Sequence, residues 1–403
     1  MRNQPLLSVI TVLGTALAIA LIMVILIVYQ AKTADYAPEV NRSRSLYVKW
    51  ERTVYDKKDP NSAGHSRPSL WLVKEIFYPL TTPEAVTATY EGGEVLVGTV
   101  GSDEEMNTPL MLTDAAFWKV YQFRFLAGKP FTEADFQSGM KQAVIAKSVA
   151  RRLFGGVENA IGKDILVNFA AYTVCGVVDD VNRFCEFTWS EVYAPYTSNA
   201  IASEAEAGQT SGNNVITILA RSTDDFDAIR NEVARGVAQI NTTLGDMELQ
   251  LMGQPDNFRM QLNRKFANQY ENLNANFWKY GIMILIILLV PAINLSGLTN
   301  TRMRRRLEEL GIRKAFGATR NELVWQVLNE NLVLTVMGGL LGLALAYLFL
   351  WLMSDWLLQT VWGATATMNA SMVSPVIFLI AFGFCLILNM FSAYVPAWRV
   401  AHT

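Results

Sequence analysis

The chain has 403 residues, of which 51% are apolar and only 17% are charged. Ordinary soluble domains have about a quarter of their residues charged, so part of this chain is expected to lie in lipid. The formal net charge is −2, and residues 30–279 are acidic, which argues against nucleic acid as a partner.

Four apolar windows contain no charged residue and are each long enough to cross a bilayer: 6–29, 280–298, 332–353 and 373–395. They predict an α-helical membrane protein with four transmembrane helices. The first window is longer than the apolar region of a signal peptide and lacks small residues at both cleavage-site positions, which favours an uncleaved anchor over a signal peptide.

Basic residues between the second and third windows determine the predicted orientation, because short cytoplasmic loops are rich in Lys and Arg. Residues 299–331 contain many of them, whereas the loop at 354–372 contains none. The termini, 1–5 and 396–403, are therefore predicted to be cytoplasmic, and residues 30–254 are predicted to form a large domain outside the cell membrane.

The outside segment shows two successive β-α-β patterns. Strands are predicted at 45–55 and 84–100 around a helix at 68–80, and strands at 214–220 and 247–252 around a helix at 224–240. Two such units suit a split ferredoxin-like α+β layer. The residues between them, about 101–200, are expected to form an inserted subdomain rich in short strands.

A stripe of apolar residues follows, with a spacing of three or four residues typical of one helix. It predicts a stalk helix at 255–279 that continues into the second transmembrane helix. The alternative is an ordinary helix packed on the outside domain. The stripe consists of Phe258, Leu262, Phe266, Tyr270, Leu273 and Phe277, followed by Tyr280.

Motifs for catalysis or cofactor binding are missing from the sequence. The two His residues are predicted on opposite sides of the membrane, and there is no Cys pair at metal-ligand spacing, so we expect no metal site, no cofactor and no enzymatic activity in this chain. Cys175 and Cys185 are predicted outside, where they either form a disulfide across a hairpin or remain buried free thiols, the commoner case.

The cytoplasmic segment 309–319 reads ELGIRKAFGAT and resembles the E-I-G-I-R-K-A-L-G-A-[ST] signature of the FtsX-like permease family. Gln326, Glu330, Gly338 and Gly342 resemble positions that follow this signature, and residues 394–399 resemble the family's closing segment. The run Gly338, Gly339 and Gly342 also predicts close helix packing, within one chain or between two copies.

The outside domain resembles the periplasmic core domain of MacB-type ABC permeases. Residues 128–135, 150–155, 161–163 and 172–178 carry the similarity. The resemblance implies a bacterial inner-membrane permease subunit that forms a homodimer or heterodimer. It also implies a separate ABC ATPase subunit that binds ATP and Mg and drives the outside domain through the stalk. A membrane-fusion protein, an outer-membrane channel and membrane lipid are further expected partners.

The basic loop is the predicted docking site for that ATPase. A short helix at 304–310, ended by Gly311, would present basic side chains to an acidic groove. The alternative is that these charges only fix the topology and contact lipid headgroups. The predicted coupling residues are Arg305, Arg306, Glu309, Gly311, Ile312, Arg313, Lys314 and Gly317.

Three hypotheses for the function follow. The first is a permease that exports or extracts a peptide, an antibiotic, a lipid or a lipoprotein. The second is an FtsX-like regulatory protein that controls a cell-wall hydrolase or senses a peptide. The third is an unrelated adhesion or assembly protein, which would require the similarity at 309–319 to be accidental.

Overall fold

A computed structural model of the chain describes residues 5–99, 101, 104–267 and 319–357, together with single residues at 278, 282 and between 376 and 394. The chain divides into two compact units. The sheet domain comprises Thr33–Asn272, and the helical unit comprises Met1–Lys32 with Leu273–Thr403. The sheet domain therefore extends beyond the boundary predicted at residue 254.

The helices are α1 (Pro5–Thr33), α2 (Leu70–Leu72, continued by a π-helical turn at Val73–Phe77), α3 (Phe117–Val120), α4 (Glu133–Gln137), α5 (Lys147–Phe154), α6 (Ala200–Ser203), α7 (Phe226–Asn241), α8 (Phe258–Asn263) and α9 (Arg320–Leu357). Short 3-10 turns lie at Arg42–Arg44, Glu158–Ala160, Tyr196–Ser198 and Thr223–Asp225.

The strands are β1 (Ser45–Val48), β2 (Glu51–Val54), β3 (Ala63–Pro68), β4 (Ala85–Thr99), β5 (Glu105–Thr113), β6 (Phe125–Gly128), β7 (Gln142–Ala146), β8 (Asp164–Val167), β9 (Ala170–Val178), β10 (Val192–Pro195), β11 (Ser211–Gly212), β12 (Asn214–Leu219), β13 (Glu248–Gln250) and β14 (Asp256–Asn257).

The large sheet contains the predicted split β-α-β arrangement. Its order is β14-β1-β12-β4-β5-β10-β7-β9-β6, with β8 pairing β4 and β9. In the first four strands of this order, the chain runs from β1 through α2 to β4. It then runs from β12 through α7 to β14, which forms the edge of the sheet beside β1. The sheet then continues through β5, so the strand-rich insertion extends the same sheet.

Two details of the predicted topology are wrong. The strand predicted at 45–55 is divided into β1 and β2, which belong to different sheets. The strand predicted at 247–252 is β13, which joins β2 in a smaller sheet of order β11-β3-β2-β13. The edge position beside β1 is occupied by β14 instead.

Apolar faces of the helices and strands form the core. On α7, Ile229, Val233 and Ile240 are buried against the sheet, as the helical spacing predicts. A second, aromatic cluster surrounds α3, where the Phe117 ring meets the Tyr121 ring edge-on at 4.9 Å. These faces hold helices and sheet together because burial of apolar surface is the main favourable term in folding.

Two described helices contain apolar stretches long enough to cross a bilayer, Val12–Gln30 in α1 and Leu332–Leu352 in α9. They coincide with the first and third predicted windows. Of the window at 280–298 the structure describes residue 282 alone, and of the window at 373–395 it describes ten separate residues between 376 and 394, so neither span is tested as a helix. Helix α9 begins well before its apolar stretch, at a reciprocal cap in which Thr319 Oγ1 accepts from the Glu322 N–H and Glu322 accepts from the Thr319 N–H.

Candidate functional site

The segment that follows α1 enters the sheet domain through a buried ion pair. Arg42 Nε lies 2.7 Å from Glu39 Oε2, and both side chains are fully buried. The guanidinium also donates to the carbonyls of Ala34 at 2.8 Å and Phe184 at 2.7 Å. One side chain therefore ties the entering segment to the loop that follows β9.

Both oxygens of the Glu39 carboxylate in this pair accept hydrogen bonds. Glu39 Oε1 accepts from the Phe187 N–H at 2.9 Å and from Thr188 Oγ1 at 3.0 Å. Desolvation alone would lower the pKa of Arg42, but its interactions with Glu39, Tyr36 and Cys185 together outweigh this effect and raise the pKa, so Arg42 stays charged. A buried charge pair of this kind holds its geometry because loss of either partner would leave an uncompensated charge.

The segment that leaves the sheet domain contains a second buried pair. Both Arg264 and Asp256 are buried, Arg264 Nε contacts Asp256 Oδ2, and Arg264 Nη2 lies 3.0 Å from Asp256 Oδ1. The same guanidinium donates to the carbonyls of Ala267 at 3.0 Å and Met252 at 3.1 Å. Arg264 thus binds carbonyls on both sides of α8.

This pair explains why the predicted stalk helix at 255–279 is interrupted. Helix α8 ends at Asn263, Arg264 has an extended backbone, and residues 264–267 are not helical. The prediction of one continuous helix is therefore wrong in this part. Helical apolar spacing is a local signal, and here the tertiary contacts of Arg264 determine the path of the chain.

The entering and leaving segments are joined to each other. Strands β1 and β14 pair antiparallel, with Tyr47 opposite Asp256. The Arg42 guanidinium lies 4.7 Å from the centre of the Phe258 ring and forms a cation–π contact with it. The centres of the Tyr47 and Phe258 rings are 5.8 Å apart. We name residues 34–47 together with 252–267 the junction.

A glutamine completes the junction. Gln254 Oε1 accepts from the Lys49 N–H at 2.9 Å and the Trp50 N–H at 3.2 Å, and its Nε2 donates to the Trp50 carbonyl at 2.6 Å. This side chain fixes the bend between β1 and β2. The Trp50 ring then lies 5.8 Å from that of Phe266, which holds residues beyond α8 against the same bend.

In the helical unit, α1 and α9 are in close contact through glycines. A Cβ atom added at Gly342 would lie 2.7 Å from the Ala16 carbonyl oxygen, and one at Gly338 would lie 2.8 Å from Thr15 Cβ. Only glycine allows such an approach of the two backbones. Of the two alternatives for this glycine run, packing within one chain is therefore observed.

The predicted site residues have different outcomes. The coupling residues Arg305, Arg306, Glu309, Gly311, Ile312, Arg313, Lys314 and Gly317 lie outside the described residues, as do Tyr270, Leu273 and Phe277 of the stalk. Phe258 is buried in the core of the sheet domain, and Leu262 and Phe266 are exposed. Their roles in a stalk stay predictions.

The two outside cysteines are both free thiols, so the alternative of a disulfide is wrong. Cys175 lies within β9 and donates to the Ala143 carbonyl, and Cys185 is buried beside the Ala37 carbonyl. Burial raises the pKa of the Cys175 thiol to about 12 and raises that of Cys185 further. Neither is therefore a reactive thiolate at neutral pH.

Sequence reasoning missed the four charged residues of the junction: Glu39, Arg42, Asp256 and Arg264. Charged residues of this kind are ordinarily solvated, and nothing in their local spacing marks them as buried. Their pairing also depends on contacts distant in the chain, such as that of Arg42 with Phe184. Among the described residues, no cluster of His, Cys, Asp or Glu is arranged to hold a metal ion.

Comparison with known proteins adds family information. Residues 8–235 match the model of the MacB-like periplasmic core domain, and residues 281–403 match that of the FtsX-like permease C-terminal domain. The uncharacterized ABC transporter permease YknZ of Bacillus subtilis is 23% identical over 345 residues, which cover 84% of this chain and 81% of YknZ.

A second relative is the macrolide export ATP-binding/permease protein MacB of Wolinella succinogenes, 25% identical over 346 residues. The match covers 84% of this chain but 50% of that MacB, so the chain spans about half the length of this relative. The solved extracellular domain of YknZ aligns with a TM-score of 0.37 at 19% identity, covering 51% of this chain and 99% of that domain.

Proposed function

Because the chain belongs to the MacB-like and FtsX-like family of ABC transporter permeases, we propose that it couples ATP hydrolysis by a separate ATPase subunit to movement of its sheet domain. The ATPase would bind ATP and Mg, and this chain would carry the resulting displacement across the membrane. Two permease chains would work together, as a homodimer or a heterodimer.

The junction is the observation that carries this proposal. A domain can be moved by membrane helices only if the segments connecting it to them are firmly attached to its core. Here both connecting segments are held by buried ion pairs, and they share the β1–β14 ladder. A displacement of either segment would therefore move the large sheet as a body, because β1 continues into β12 and β4 through backbone hydrogen bonds.

The proposed cargo is a molecule already present at the outer face of the membrane, namely a peptide, an antibiotic, a lipid or a lipoprotein. Mechanical transmission needs no polar path through the bilayer, which agrees with the four uncharged apolar windows. The proposed orientation places the termini in the cytoplasm and the sheet domain outside, in the periplasm or the extracellular space. A membrane-fusion protein and an outer-membrane channel are proposed further partners.

The proposed ATPase contact is the segment 305–317. Exchange of Arg313 and Lys314 for glutamate should abolish co-purification of an ABC ATPase from native membranes in mild detergent, because the docking groove is expected to be acidic. The matched control reverses Arg151 and Arg152, two exposed basic residues on α5 of the sheet domain. We expect this control to retain the ATPase.

Quantitative mass spectrometry of the purified chain measures the outcome. Equal ATPase recovery with both double variants would contradict docking at 305–317. Absence of any ABC ATPase from the unmodified chain would contradict the proposed function itself.

A further inference from the structure

The turn between β8 and β9 presents an unusual aromatic residue. Asn168 and Phe169 form a two-residue turn, and both have left-handed backbones, with φ of 46° and 67°. Asparagine tolerates this conformation, but phenylalanine is unfavourable there, and glycine is the residue that such hairpin turns prefer. The Phe169 side chain is also 79% exposed. Folding therefore gains little from this phenylalanine, which suggests a role outside the fold.

The turn is held rigidly by the neighbouring strand. The Asn168 N–H donates to the Leu96 carbonyl at 2.9 Å, and Asn168 Oδ1 accepts from the Leu96 N–H at 3.0 Å. Both bonds extend the pairing between β8 and β4 by one residue. Phe169 is thus an exposed ring on a fixed backbone, and a fixed anchor loses little conformational entropy when it binds a partner.

The sheet face beside this turn combines apolar and acidic residues. Pleating places Leu166 on the same face as Gly98, which is opposite Glu105, and Leu96 on that face opposite Asn107. None of the residues at these positions and their neighbours on the same face is basic. The residues of this face are Glu94, Leu96, Gly98, Glu105, Asn107, Pro109, Asp164, Leu166, Ala171 and Thr173.

We propose that Phe169 and this face form a docking surface for a protein that offers an apolar pocket surrounded by Lys and Arg residues. The ring would fill the pocket, and Glu94, Glu105 and Asp164 would face the basic rim. An anionic lipid surface would be repelled by these carboxylates. A symmetric contact with a second copy would bring the same acidic faces together. The inference goes beyond ATP coupling and requires no ATPase.

Photo-crosslinking in native membranes tests this surface. A benzoylphenylalanine replaces Phe169 in the full chain, and the matched control carries it at Ile201, which is 70% exposed on α6. We expect a protein adduct at position 169 that is absent at position 201 and decreases at high salt, because the rim contact is ionic. The crosslinked peptide should come from an apolar pocket bordered by Lys or Arg.

Every other outcome of the crosslinking contradicts the proposal: no protein adduct, adducts with lipid or with a second copy only, equal capture at both positions, or capture that is independent of salt. These results would leave the ATPase contact untouched, since that contact is measured separately at residues 305–317.

A substitution gives an independent measurement. Phe169→Gly removes the ring and relieves the left-handed backbone, so the melting temperature of the full chain in detergent should stay equal or rise. Affinity for the crosslinked protein should fall about tenfold or more, as expected for an aromatic anchor. Undiminished affinity would overturn the proposal. A lower melting temperature would do so too, because Phe169 would then be a packing residue.

Discussion

At the scale of single residues, the sheet domain contains a buried carboxylate, Glu51, that forms no ion pair with Lys or Arg among the described residues. Glu51 is fully buried at the start of β2 and accepts hydrogen bonds from the hydroxyls of Thr53, Ser66 and Ser211. Burial raises the pKa of Glu51, because desolvation outweighs the hydroxyl bonds that favour the charged form. The folded domain therefore binds a proton at Glu51 more readily than the unfolded chain does.

The direction of this shift determines a pH dependence. The stability that protonated Glu51 contributes is present below the pKa that Glu51 has in the unfolded chain. This stability is lost as pH rises through the raised pKa of the folded domain. Glu51→Gln removes the charge and keeps a hydrogen-bonding side chain. Relative to the unmodified chain, we expect this variant to gain stability between acidic and neutral pH.

Urea unfolding of the full chain, followed by fluorescence at several pH values, measures this difference. Glu94→Gln is the control, because it makes the same substitution at an exposed position. A pH-independent effect of Glu51→Gln would show that Glu51 does not titrate as expected.

At the scale of elements, the sequence predicts those whose pattern is local. The strand at 84–100 and the helix at 224–240 are confirmed as β4 and α7, because their apolar spacing matches the face that each element buries. The prediction fails at residues 264–267, since the contacts of Arg264 with Met252 and Asp256 depend on the folded chain. It also fails at 45–55, where Gln254 fixes a bend between two strands.

The glycine contact between α1 and α9 allows a matched test. Gly342→Leu would force a side chain against the Ala16 carbonyl and Ile19, where an added Cβ already lies within 3 Å. Overpacking of this kind typically costs about 1–3 kcal/mol. Gly14→Leu is the control, because nothing lies within 4 Å of a Cβ added at Gly14.

We expect a lower melting temperature in detergent for Gly342→Leu and little change for Gly14→Leu. Equal melting temperatures would mean that α1 and α9 do not depend on this contact. Both variants add the same apolar side chain to a helix, so a difference between them reports packing and not hydrophobicity.

At the scale of the whole molecule, a variant of the junction can distinguish the stability of the sheet domain from the attachment of its connecting segments. Loss of one partner from a buried ion pair destabilises a protein by about 3–5 kcal/mol, whereas apolar replacement of both partners is often neutral. The double variant Asp256→Leu with Arg264→Met is therefore expected to fold. It loses the bonds from Arg264 to the Met252 and Ala267 carbonyls, which hold the segment beyond α8.

The consequence is a specific loss of coupling. In the double variant, ATP hydrolysis by the proposed partner ATPase should continue at the unmodified rate, whereas transport output should fall, because the Arg264 side chain no longer ties the segment beyond α8 to the sheet domain. The control is Asp179→Asn, which breaks the partly exposed pairs with Arg124 and Lys147 outside the junction and should change neither quantity. Urea unfolding of the double variant verifies that its domain is folded, and the milder Arg264→Lys replaces it if it is not. Full transport by a folded variant would mean that the bonds of Arg264 are not needed to carry force to the sheet domain.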